Sequence, residues 1–135
     1  MSRVTFLAMI LALGAAACGS DLPSTPTPTT PVTVTDTFAG TLNRNGAASY
    51  SFTTASSGSV TAALTALAPD STLIVGLSLG TWNGFACQIV LANDKATQTS
   101  TVIGTASAAG SLCVRVYDVG NVSDPTTYEI QVTHP

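Results

Sequence analysis

DTFAGTLNRNGAASYSFTT, residues 36–54, decides the fold. From about Asp36 onward the chain has a period of two. In SYSFTT (49–54) Tyr50 and Phe52 alternate with small polar residues, as a half-buried strand requires. Asn45-Gly46 stands between the β-prone runs 37–42 and 47–54. It reads as a type I′ hairpin turn, because both central positions of that turn need positive φ.

Six further runs continue the pattern: VTAALTAL (60–67), LIVGLSL (73–79), CQIVLA (87–92), TSTVIGT (99–105), SLCVRVYD (111–118) and TYEIQVT (127–133). LIVGLSL is nearly continuous in apolar residues, which predicts a strand buried on both faces. Ser57-Gly58, Pro69-Asp70, Asn83-Gly84, Asn93-Asp94, Ala109-Gly110 and the stretch from Gly120 to Pro125 supply turns between them. No stretch after residue 36 sustains a helical period. Eight short strands in roughly 100 residues predict an all-β domain, a single antiparallel β-sandwich or jelly roll over 36–135.

The composition agrees. Charged residues make up 8% of the 135 and hydrophobic residues 45%. A helical bundle would need far more Glu, Lys, Arg and Leu. The formal charge is −3, and after Arg3 the only cations are Arg44, Lys95 and Arg115. Phosphate neutralisation needs clustered Lys or Arg, so nucleic acid is not an expected partner.

The N-terminus has a different character. Val4 to Ala17 is a 14-residue apolar run ending in Ala15-Ala16-Ala17. A spanning helix needs about 20 such residues, so the run reads as the apolar region of a secretory signal over 1–17. Ala-x-Ala permits cleavage by an ordinary signal peptidase. The stretch ALGAAAC also resembles the lipobox of bacterial lipoproteins, in which the cysteine becomes the lipidated first residue; that implies lipidation at Cys18. The family prefers Leu three places before the cysteine, where this chain has Ala15. Gly19, not Asp, follows Cys18, which under this resemblance implies the outer membrane or cell surface. The alternative is a soluble secreted or periplasmic protein.

Cysteine count bears on the choice. With Cys18 lipidated, Cys87 and Cys113 remain as an even pair, and an oxidising compartment permits a disulfide between them. In SLCVRVY, Leu112, Val114 and Val116 share one face and Cys113 the other. Cys87 shares a face with Ile89 and Leu91, so the bond requires Cys87 to lie at a strand end or a bulge. Residues 21–35, DLPSTPTPTTPVTVT, hold four of the seven prolines. Such a tract stays extended, which makes 18–35 a stiff tether.

The domain itself resembles the bacterial pre-peptidase C-terminal domain and its relatives. The likeness rests on F-x-G-x-L (Phe38, Gly40, Leu42) followed by Tyr50-x-Phe52, and on the closing GSLCVRVY (110–117) with Tyr128-x-Ile130. It implies a small jelly-roll-like sandwich acting as an accessory or binding module, and not an enzyme. Some members bind calcium.

Catalysis finds little support in the residues. The single histidine, His134, reads as a solvated tail residue, so an ordinary Ser-His-Asp or Cys-His set is missing. Two binding features remain. GTWNGF (80–85) carries the only Trp; Trp82 and Phe85 flank Asn83-Gly84 and are candidates to stack on sugar rings, with Asn83 supplying hydrogen bonds. In DVGNVSDP (118–125), Asp118, Asn121 and Asp124 offer oxygens to Ca²⁺, although these are also ordinary turn residues. No other cofactor is indicated. The expected function is a non-catalytic cell-envelope lipoprotein, joined to the membrane by its lipid anchor and binding a polysaccharide or another envelope protein. The alternative is a structural spacer or assembly subunit of the envelope with no small ligand.

Overall fold

The computed structural model describes Gly19 and residues 23–135. The signal segment and Cys18 lie outside the described residues. Residues 23–33 carry no regular secondary structure and are exposed.

Eight strands follow: β1 Val34–Leu42, β2 Ala47–Thr54, β3 Gly58–Ala68, β4 Val75–Trp82, β5 Cys87–Ala96, β6 Thr101–Ala106, β7 Gly110–Tyr117 and β8 Thr126–His134. No helix occurs among the described residues. The strands form two four-stranded antiparallel sheets, β1-β8-β3-β6 and β2-β7-β4-β5. Strand one pairs with eight, two with seven, three with six and four with five. This is one long hairpin, closed at β4–β5 and rolled up so that β8 also meets β3 and β7 also meets β4. The result is the jelly-roll order expected from eight alternating strands.

The rolling corrects the Asn45-Gly46 hairpin. β1 and β2 are consecutive but lie in opposite sheets. The turn between them runs from Asn43 to Gly46, whose N–H donates to the Asn43 carbonyl at 2.8 Å. Its central residues are Arg44 and Asn45, and Asn45 alone of that pair has positive φ, at 56°. A type I′ turn needs both. This turn therefore sends the chain across the sandwich.

Alternation places the core between the sheets. Val60, Ala62 and Leu64 of β3, Val75, Leu77 and Leu79 of β4, Val114 and Val116 of β7, and Tyr128, Ile130 and Val132 of β8 face one another there. His134 continues the β8 series Tyr128, Ile130, Val132 and is only 3% exposed. The solvated-tail reading of His134 is thus corrected: same-parity residues of a strand share a face, and the sequence carried that signal.

β4 is buried on both faces, as its apolar run predicted, from Val75 through Gly80. Its outward residues are the small ones, Gly76, Ser78 and Gly80. Across them reach side chains from β7. A Cβ at Gly76 would collide with the Tyr117 ring. Tyr117 continues to β5, where its hydroxyl donates to Asp94. Above Gly80 the β5 backbone itself comes close, and a Cβ there would collide with the Gln88 carbonyl. Beside it Cys113 reaches Cys87 in a disulfide, with Cα atoms 5.6 Å apart. The condition on Cys87 is met: it is the first residue of β5, next to a register shift between Leu79 and Gly80. The bulge lets β5 close over β4, and so brings together two cysteines on strands that are not neighbours.

Candidate functional site

Trp82 ends β4 and pairs with Cys87 across the β4–β5 turn. It is half-buried and does not belong to the core cluster. Phe85, at the tip, is 93% exposed. Asn83 does not face a ligand with its carbonyl oxygen: Oδ1 accepts the N–H groups of Phe85 and Ala86, both at 2.9 Å. Gly84 has φ of 98°, a conformation only glycine adopts easily. The local sequence thus makes a short loop pinned by an Asx turn, which holds Phe85 out in water. An exposed aromatic ring sheds its apolar hydration only when something covers it, and among the described residues nothing covers Phe85. Trp82, Asn83 and Phe85 are together on one hairpin, and Asn83 keeps its side-chain NH₂ for a ligand.

The second predicted group behaves differently. One oxygen of Asp118, Oδ1, accepts the N–H groups of Gly120, Asn121 and Val122 at 2.7–3.0 Å. The other, Oδ2, accepts the N–H of Asn45 at 2.8 Å. Burial raises the pKa of this carboxyl, but the four backbone bonds outweigh it and the result lies below the ordinary value. Asn121 donates its side-chain NH₂ to the Ile74 carbonyl at 3.1 Å. Asp124 accepts from the Ser123 hydroxyl at 3.1 Å. Asp118 therefore fastens the 118–122 loop to the β1–β2 turn, and a cation would compete with four N–H donors for its oxygens. Among the described residues no three His, Cys, Asp or Glu side chains cluster as a metal-ligating group.

His134 faces two oxygens. Nε2 lies 3.1 Å from Asp36 Oδ2 and Nδ1 lies 3.2 Å from the Pro135 carbonyl. Its ring packs on Phe52 with centroids 5.0 Å apart. A general base needs a free ring nitrogen beside its substrate; here both nitrogens are engaged and the ring is buried.

A further surface went unread in the sequence. The β5–β6 side of the sandwich exposes Ile89 (48%), Val90 (69%), Leu91 (40%) and Ile103 (64%). A cleft of about 330 Å³ opens there between the sheets, walled by Val60, Leu79, Val90 and Leu91 and by residues 105–112 at the β6–β7 connection. Ile89-Val90-Leu91 is apolar at consecutive positions of one strand, which a single buried face does not need. That excess was the available signal. Residues 71–93 and 96–114 contain no charged residue, so this side of the domain interrupts its neutrality only at Asp94 and Lys95.

Compared with protein-family models and with curated proteins, the chain matches none of either.

Proposed function

We propose that this chain is an exported envelope lipoprotein, cleaved before Cys18, lipidated on that cysteine and held off the membrane by the tract 18–35. Its sandwich then acts as a non-catalytic binding module of the pre-peptidase C-terminal kind. The observation that carries the binding role is Phe85, 93% exposed on a loop fixed by Asn83 beside half-buried Trp82. A solvated ring on a rigid support loses little entropy when it stacks. Its neutral surroundings favour an uncharged glycan, or an apolar patch on another envelope protein.

The test uses the only tryptophan. Full-length protein is titrated with a panel of soluble polysaccharides while Trp82 emission is followed. A saturable change with one sugar class, lost in Phe85→Ala, supports a glycan module. An emission spectrum that no polysaccharide moves counts against the sugar and turns to a protein partner. In parallel, palmitate labelling that fails on the wild-type chain, or persists in Cys18→Ser, would refute the anchor.

The second reading, an assembly subunit with no small ligand, draws on the exposed aliphatic residues of β5 and β6.

A further inference from the structure

The two open sides of the sandwich are not alike. On the β1–β2 side the gap is filled: Phe38 of β1 stacks on Tyr50 of β2, with centroids 4.8 Å apart, and Tyr50 bonds Tyr128 of β8. On the β5–β6 side Leu91 lies under Gly104, and a cleft of about 330 Å³ opens beside the last residues of β6, Thr105 and Ala106, and the segment that joins β6 to β7. The strands bounding this side also differ. β5 carries two register shifts against β4, and bulges blunt an edge against further pairing. β6 carries none: six consecutive residues, Thr101 to Ala106, pair in register with β3. Its other edge has no strand partner among the described residues.

An unbulged edge strand presents alternate N–H and C=O groups to solvent as a template for another strand. Proteins usually protect such an edge with charge or proline. β6 has neither; its outward residues are Thr101, Ile103 and Thr105, and no charge occurs from 96 to 114. On the inward parity stand Val102, Gly104 and Ala106. At Gly104 the missing side chain leaves Leu91 as the neighbour across the gap.

We infer that the β6 edge is a docking site for an extended polypeptide segment, uncharged and apolar at alternate positions. The segment adds as a fifth strand to the β1-β8-β3-β6 sheet. Its main chain bonds the free groups of β6. Beside Thr105 and Ala106 its inward side chains enter the mouth of the cleft against Val90 and Leu91, and its outward ones lie beside Ile103. Main-chain bonds give the affinity and the cleft gives the preference for apolar residues at every second position, the division seen in strand addition generally. Neutral meets neutral: a charged side chain entering the cleft would be desolvated with no partner. The mode needs neither the lipid anchor nor the Trp82 loop.

The test is a titration of ¹⁵N-labelled full-length protein in detergent. The probe is a peptide of alternating Val and Thr with a lysine at each end. Saturable shifts in the 101–106 amides and in Val90 and Leu91, with slowed exchange of the free β6 amides, are expected. A peptide N-methylated at alternate residues should bind at least tenfold more weakly, and so should a Val-to-Glu peptide. Ile103→Lys, a change at an exposed position, should weaken the parent peptide at least tenfold with the spectrum otherwise preserved. Four results would overturn the inference: no shift at millimolar peptide; shifts confined to Trp82–Ala86; equal binding of the N-methylated peptide; or a stable dimer whose β6 amides are already protected, which would assign the edge to a second copy.

Discussion

The hydroxyl oxygens of Tyr50 and Tyr128 lie 2.6 Å apart, one side chain from each sheet. Tyr50 also donates to the Ala39 carbonyl at 3.3 Å. The rings meet edge to face at 6.5 Å, and Gly40 leaves room for the pair, since a Cβ there would lie 2.6 Å from the Tyr128 oxygen. Phe38 and Gly40 of β1, Tyr50 of β2 and Tyr128 of β8 thus form one contact that closes the β1–β2 side.

Removing one hydroxyl therefore has an unequal cost. Tyr50→Phe strands the buried Tyr128 hydroxyl and should cost about 1–2 kcal/mol. Tyr128→Phe leaves Tyr50 its bond to Ala39 and should cost less, about 0.5–1 kcal/mol. The double variant should cost less than the sum of the two. Urea unfolding of the four proteins measures the coupling.

High pH should weaken the fold. Burial, followed by the bond to Asp94 and its charge, pushes Tyr117 up to about 12 despite Arg115 nearby. Burial and the Tyr50 contact also push Tyr128 upward. Above about pH 10 the unfolded tyrosines release protons while these folded ones retain theirs. The native state then binds more protons, so stability is full below pH 10 and falls from there through pH 12. Tyr117→Phe should flatten that fall, as read by unfolding midpoints at a series of pH values.

The disulfide closes a loop with a sequence separation of 26, which corresponds to roughly 3.5 kcal/mol in the chain-entropy account. Cys87→Ala with Cys113→Ala should lower stability by about that amount while keeping the sheet signature in circular dichroism. Gly80→Ala should cost about 1–3 kcal/mol by forcing the Gln88 backbone away.

Asp118→Ala should cost about 1–2 kcal/mol, because it removes the acceptor of four loop N–H groups. The wild-type carboxyl has a lowered pKa, so its contribution is present above about pH 4 and is lost as pH falls through the folded value. Asp118→Asn should lose that acid dependence. Proteolysis of the 118–125 loop measures its release.

The strands were legible because a half-buried strand writes its burial into every second residue. Val60, Tyr50, Ile130 and Val116 obey that rule, and so does His134, whose polar side chain suggests solvent while its parity places it in the core. The partners of the strands were less legible. Asn45-Gly46 has the composition of a hairpin turn, yet a rolled hairpin sends consecutive strands to opposite sheets, and local turn chemistry does not record which strand waits on the far side. Cys87 and Cys113 illustrate the reverse. Their conflicting faces specified a strand end or bulge before the bulge was visible. The Trp82 loop was readable as a loop, and the exposure of Phe85 followed from the Asx turn at Asn83. The β5–β6 cleft was not readable, because its walls come from side chains on five strands and from the segment that joins β6 to β7.

One intact-mass measurement on the protein isolated from its native cells tests the proposed export and lipid anchor of the sandwich. The predicted mass lacks residues 1–17, carries the added mass of a lipid on Cys18, and falls two hydrogens short through the Cys87–Cys113 bond. A mass that retains the N-terminal segment, with all three cysteines as free thiols, would contradict both the export and the anchor.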